Sequence, residues 1–121
     1  MGFRILVIDD EKAVCSLLAV TLAREGFEVE TAEDGAKGLE ALQSGEYDLI
    51  LTDLIMPGAS GMQILAQAKA LRAGSLPVIG MSGTPWLLDN DIFDMVLSKP
   101  FPLNKLIESI RSLVPMPSRL A

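Results

Sequence analysis

Five side chains in the 121-residue chain are of types that do chemistry together: Asp9 and Asp10, Asp53, Ser82 and Lys99. Three carboxylates in one crevice crowd negative charge. Two unit charges ~4 Å apart repel by about 4 kcal/mol at an effective dielectric of ~20, so such a cluster is tolerable when a cation sits in it. Donors that are all oxygen, few in number and completed by water suit Mg²⁺ or Mn²⁺ rather than zinc or copper. A metal there, with Lys99 opposite, would hold an incoming phosphoryl group by its oxygens. Asp53 would then be the nucleophile, forming an acyl phosphate, and the Ser82 hydroxyl would donate to a phosphoryl oxygen.

Taken singly, each residue has an ordinary explanation. An Asp-Asp-Glu run such as Asp9-Asp10-Glu11 is commonly a solvated loop or a helix N-terminus. Asp53 ahead of a loop can bond loop amides, Ser82 in Met81-Ser82-Gly83 can simply end a strand, and Lys99 before Pro100 can be a surface charge. Four coincidences are harder to sustain, because each residue stands at the carboxyl end of an apolar run.

Those runs belong to an alternation of strand and helix signals. Residues 3–8 are apolar and rich in β-branched side chains, and Asp9-Asp10-Glu11 stops them. Residues 13–24 have helical spacing, with Val14, Leu17, Leu18 and Leu22 on one side and Gly26 as a stop. Residues 27–32 alternate apolar and acidic positions, as a strand with one wetter face does. Asp34 is placed to cap a helix through Leu39 and Leu42, with Gly45 at its C-terminal end. Leu49-Ile50-Leu51-Thr52 is a third strand, ending at Asp53. After the loop Leu54-Ile55-Met56-Pro57-Gly58-Ala59, Ser60 and Gln63 have capping-box spacing ahead of Ile64, Leu65, Ala68 and Leu71. Residues 77–81 form a fourth strand ending at Ser82, and residues 94–97 a fifth ending at Lys99-Pro100. Leu103, Leu106, Ile107, Ile110 and Val114 make the stripe of a last helix.

Strands as apolar as 3–8, 49–52 and 78–81 suit a parallel sheet buried by helices on both faces. Short connections and right-handed crossovers then give an open, doubly wound α/β fold of five strands. Ligands of such sheets bind at the carboxyl ends of the strands, near the topological switch point. Asp9 and Asp10, Asp53, Ser82 and Lys99 all fall there.

Composition narrows the chemistry further. The chain has no histidine, which removes Ser-His-Asp and Cys-His catalysis and every His-based metal site. Cys15 is the only cysteine, so no internal disulfide forms and a reducing compartment is expected; on its helix it reads as an inert core residue. Ten basic against sixteen acidic side chains leave a net charge of −6, a field that repels nucleic-acid backbones. No apolar run approaches the ~20 residues a membrane helix needs, and Asp9 cuts the N-terminal stretch too short for a signal peptide. A cytoplasmic protein with no membrane partner is expected.

The pieces Ile5-Leu6-Val7-Ile8-Asp9-Asp10-Glu11, Asp48-Leu49-Ile50-Leu51-Thr52-Asp53-Leu54-Ile55-Met56-Pro57-Gly58, Gly80-Met81-Ser82-Gly83 and Lys99-Pro100-Phe101 together resemble the receiver domain of two-component response regulators, the CheY-like fold. The resemblance implies a flavodoxin-like sheet of order 2-1-3-4-5, a receiver domain over residues 1–114 and a tail over 115–121. It also implies Asp53 as phosphoacceptor, Asp10 as a direct metal ligand, Asp9 as one acting through water, and the Ile55 backbone carbonyl as a further ligand. Ser82 matches the switch hydroxyl and Lys99 the phosphate-pairing lysine. Mg²⁺ is the implied cofactor, and the donor a phosphohistidine on a sensor histidine kinase or phosphotransfer protein. Such a domain is not an enzyme with turnover, although it assists its own phosphotransfer and dephosphorylation.

The chain also departs from that pattern. Val96 stands where the family usually has an aromatic switch residue. The stretch between Ser82 and Lys99 is shorter than usual and Pro85 interrupts it, so the fourth helix is expected to be shortened or missing. Trp86, in that stretch, is read as covering the core. Ile55 and Thr84 occupy the positions from which family members help to orient the attacking water. Neither is a good water-positioning group, so a long-lived acyl phosphate is expected. Two alternatives stand beside the signalling module. One is a haloacid-dehalogenase-like phosphohydrolase, which wants an Asp where Ile55 stands. The other is a pseudo-receiver interaction module, which would lack some of Asp10, Asp53 and Lys99. The chain fits a stand-alone receiver or one excised from a longer regulator or hybrid kinase.

Overall fold

In a computed structural model, residues 3–54, 56, 60–71, 74–83 and 93–113 are described. The four apolar runs and the alternating segment form the strands β1 (Arg4–Ile8), β2 (Glu28–Ala32), β3 (Leu49–Asp53), β4 (Val78–Ser82) and β5 (Met95–Ser98). All pair in parallel, in the order β2-β1-β3-β4-β5. Four helices flank them among the described residues: α1 (Lys12–Arg24), α2 (Gly35–Ser44), α3 (Gly61–Lys69) and α4 (Leu103–Leu113).

The period-two alternation of the strands decides which helix each face meets. Ile5, Val7, Leu49, Leu51, Ile79, Met81 and Leu97 pack with Leu18 and Leu22 of α1 and Leu106 and Ile110 of α4. Leu6, Ile8, Ile50 and Val78 point the other way, onto Leu42 of α2 and Ile64, Leu65 and Ala68 of α3. Both faces of β1, β3 and β4 are thereby buried, as expected of continuous apolar strands. β2 is an edge strand whose Glu28, Glu30 and Thr31 are exposed, which accounts for its acidic alternation.

The helix caps follow the sequence signals. Asp34 accepts a hydrogen bond from Lys37 N at 2.8 Å, and Ser60 with Gln63 forms a complete capping box on α3. Gly26 turns the chain after α1 with φ 94°, where a Cβ would be strained.

Other expectations require correction. Leu17, spaced to share one side of α1 with Val14, Leu18 and Leu22, is instead 53% exposed, because Cys15, Leu18 and Leu22 already fill the arc facing the sheet. Gly45 ends α2 in an extended conformation (φ −122°, ψ 172°), not a left-handed one; a Cβ there would lie 2.8 Å from the Tyr47 hydroxyl, so close packing explains the glycine. Helix α3 stops at Lys69, leaving Leu71 beyond it. The expected shortening or loss of a helix between β4 and β5 falls largely on residues 84–92, outside the described residues, as do Ile55, Thr84, Trp86, Val114 and the tail 115–121.

β2 and β3 lie on opposite sides of β1, so the winding reverses there and opens a crevice at the carboxyl ends of β1 and β3. At the other end of the sheet, Asp94 accepts hydrogen bonds from Val78 N at 2.7 Å and Lys69 Nζ at 3.1 Å, tying the start of β4 to the end of α3.

Candidate functional site

The crevice receives side chains from four strand ends. Asp9 directly follows β1 and is fully buried. Its amide donates to the Ala32 carbonyl at 3.1 Å, and its Oδ1 accepts from Glu11 N at 3.0 Å. Cys15 lies beneath this corner, its Sγ donating to the Asp9 carbonyl at 3.3 Å. Burial, with the nearby Asp9 charge, pushes the Cys15 thiol above its ordinary pKa, in keeping with an inert core residue.

Asp53 is the last residue of β3 and only 9% exposed. The chain after it is held by Leu54 N donating to the Met81 carbonyl at 3.1 Å and by Gly61 N donating to the Leu54 carbonyl at 3.3 Å. A Cβ on Gly61 would lie 2.7 Å from Leu54 Cα and 3.0 Å from the Asp53 carbonyl oxygen, so only glycine lets α3 begin this close to the end of β3.

The carboxylates of Asp9, Asp10 and Asp53 each offer an oxygen within 4.8 Å of the others, the one such group among the described residues. Lys99, just past β5, sends its ammonium among them. Nζ lies 2.9 Å from Asp9 Oδ2, 3.3 Å from Asp53 Oδ2 and 3.7 Å from Glu11 Oε1. Burial pushes the Lys99 pKa down, but the hydrogen bond to Asp9 and the charges of Asp53 and Asp9 together outweigh it, and the net shift is upward. Lys99 is therefore a firmly held cation.

Ser82, buried at the end of β4, is tied to the lysine through the backbone: Lys99 N donates to the Ser82 carbonyl at 2.8 Å. Val96 is half-buried on β5, opposite Gly80 in register, and packs on the face occupied by α2 and α3. The sequence thus located Asp9, Asp10, Asp53 and Lys99 as one constellation. It did not single out Glu11 as a third partner of Lys99. The acidic character of Glu11 was visible beside Asp10, but the direction of a side chain at a strand-to-helix corner leaves no periodic signal.

The donor set, three carboxylates with no sulfur or nitrogen, fits a hard divalent cation such as Mg²⁺. With a cation bound among them, a nearly buried carboxylate beside a lysine would be suited to receive a phosphoryl group and present a nucleophilic oxygen to it.

Fold and site together define an α/β domain with an acidic, lysine-bridged pocket at the switch point of its sheet. The chain belongs to the response regulator receiver domain family, whose model matches residues 5–111, and so to the two-component systems. It is 33% identical over 117 residues to the transcriptional regulatory protein TcrA of Mycobacterium tuberculosis, covering 93% of this chain and 46% of that protein. It is 35% identical over 115 residues to the transcriptional regulatory protein DltR of Streptococcus agalactiae, covering 89% of this chain and 50% of that one. The chain thus spans about half the length of these curated relatives. Among solved structures, the response regulator TrrA of Thermotoga maritima in complex with Mg²⁺-BeF superposes with a TM-score of 0.83 at 32% identity, covering 93% of this chain and 99% of that one. Among the described residues, no helix is long and apolar enough to cross a membrane.

Proposed function

We propose that this chain is a phosphoryl-accepting receiver in which Asp53 carries the phosphate. The convergence of Asp9, Asp10 and Asp53 within 4.8 Å, with Lys99 bridging Asp9 and Asp53, carries this reading. The donor is a phosphohistidine on a sensor histidine kinase or phosphotransfer protein. An Asp53 carboxylate oxygen attacks phosphorus, the P–N bond breaks, and the imidazole leaves with the electron pair and takes up a proton. Lys99 pairs with a phosphoryl oxygen, and the Ser82 hydroxyl donates to another.

Asp10, Asp53, the Ile55 backbone carbonyl and, through water, Asp9 would hold Mg²⁺, with Mn²⁺ as a substitute; such an ion supplies charge neutralisation to the phosphoryl oxygens. The Mg²⁺-BeF complex of the 32% identical TrrA supports that assignment. The receiver unit spans residues 1–114, with 115–121 as a tail, and works in the cytoplasm without contacting nucleic acid itself. Ile55 and Thr84 set the lifetime of the acyl phosphate, which is long because neither orients water. The domain signals by a change of conformation and catalyses no turnover on other molecules.

Incubation with Mg²⁺ and acetyl phosphate should add one base-labile phosphate, seen by intact mass. Asp53→Asn should abolish it, and Asp10→Asn or excess chelator should suppress it. Labelling of Asp53→Asn at the parent's rate would overturn the assignment, and undiminished labelling in chelator would remove the metal from it.

A further inference from the structure

Lys99 has a third carboxylate partner that the phosphotransfer chemistry does not require. Glu11 Oε1 lies 3.7 Å from Nζ, and the Glu11 side chain is 64% exposed, against 13% for Asp53 and none for Asp9. Glu11 is therefore the outermost charge on the ammonium, at the rim of the pocket. Its backbone is fixed: the amide donates to Asp9 Oδ1 at 3.0 Å, and the carbonyl accepts from Cys15 N at 3.1 Å in the first turn of α1. Its side chain makes no capping hydrogen bond, although it stands at the N-cap of α1, where a capping side chain would otherwise be used. Among the described residues, what remains for the carboxylate is its pairing with Lys99 and the charge it places at the entrance.

We infer that Glu11 is a specificity-determining residue for the phosphodonor, a rim charge that disfavours free, doubly anionic donors. A phosphoryl group bound for Asp53 must take Lys99 from its carboxylate partners, and Glu11 is the partner it meets first. Acetyl phosphate is a dianion at neutral pH and is repelled as it enters. Phosphoramidate carries less negative charge and is repelled less. With acetyl phosphate the P–O bond breaks and acetate leaves with the electron pair; with phosphoramidate the P–N bond breaks and ammonia leaves with it, the proton already on nitrogen. The bond to Asp53 is the same in both, so Glu11 acts on entry and leaves the maximal rate alone. This rests on Asp53 being the phosphoacceptor.

The experiment compares labelling of the parent, Glu11→Gln and Glu11→Asp at saturating Mg²⁺, across a range of donor concentrations. Glu11→Gln should lower the half-saturating acetyl phosphate concentration by roughly threefold at low salt, with an unchanged maximal rate and a smaller gain with phosphoramidate. The gain should vanish near 1 M salt, where the screening length is about 3 Å. Glu11→Asp, which keeps the charge, should behave as the parent. A role confined to the helix N-terminus would move unfolding stability and not this salt-dependent constant. The inference is overturned if Glu11→Gln matches the parent at low salt, if its gain survives high salt, or if Glu11→Asp shows the same gain. A parent that takes no phosphate from either donor would overturn the phosphoacceptor reading itself, and this inference with it.

Discussion

A lysine held by carboxylates of very different burial is the central feature at the scale of single residues. Asp9 has no exposed surface, so its charge is tolerable because Lys99 Nζ stands 2.9 Å away. Lys99→Ala leaves that charge without its cation. The expected cost is on the order of 2 kcal/mol in chelator, below the value for a fully buried pair because Lys99 keeps some contact with water. The raised lysine pKa fixes the sign with pH. The contribution is fully present below the ordinary lysine range and is lost as pH rises through the raised folded value, so parent and variant converge in strong alkali. On the proposed reading, Mg²⁺ should raise the unfolding midpoint of Lys99→Ala more than that of the parent, since no ammonium competes for the same oxygens. Equal denaturation midpoints in chelator would show that Lys99 does not compensate Asp9. Asp9, Asp53, Ser82 and Lys99 were legible because strand ends mark them; the tie between Lys99 and Glu11 was not, because it depends on a rotamer at a corner.

At the scale of elements, apolar runs sufficed for β1, β3, β4 and β5 and acidic alternation for the edge strand β2, with ends displaced by about one residue. The meaning of individual glycines was harder to read, since sequence shows the missing Cβ but not what would touch it. Gly45 looked like a helix stop and is instead a space for the Tyr47 ring. Gly61 and Gly83 make a testable contrast, because both flank proposed site residues. Gly61→Ala drives a Cβ to 2.7 Å from Leu54 Cα, a backbone atom that cannot swing aside, so a loss of about 1–3 kcal/mol is expected. The strain falls on the chain directly after Asp53, and labelling should slow with it. Gly83 has nothing within 4 Å of a built Cβ and no left-handed φ. Gly83→Ala should therefore gain about 0.5 kcal/mol by restricting the unfolded chain. Urea unfolding with unchanged slope checks both signs; a stabilised Gly61→Ala would refute the packing argument.

At the scale of the whole molecule, the described residues form a sheet clamped between two apolar layers, with the proposed site at one edge, where the ends of β4 and β5 are joined by the bond from Lys99 N to the Ser82 carbonyl. That coupling gives the last prediction. On the proposed reading, a phosphoryl group on Asp53 that recruits the Ser82 hydroxyl would pull on the end of β4, while Val96 on β5 has no ring to reorient. Trp86 follows Ser82 closely in the chain and is the sole tryptophan, so its emission reports on that connection alone. Beryllofluoride with Mg²⁺, standing in for the phosphoryl group, should change Trp86 fluorescence beyond any effect of Mg²⁺ by itself. The shift can be no larger than the ligand's difference in affinity for the two states. Moving a population from 1:99 to 99:1 takes about 5.5 kcal/mol. One hydrogen bond to a charged oxygen supplies about 1.5–3 kcal/mol of that. Ser82→Ala should therefore lose roughly a tenth to three-fifths of the fluorescence increment while Asp53 is still labelled. An unchanged Trp86 signal in the parent, with amide shifts confined to β1 and β3, would mean that the state of Asp53 is not passed through β4.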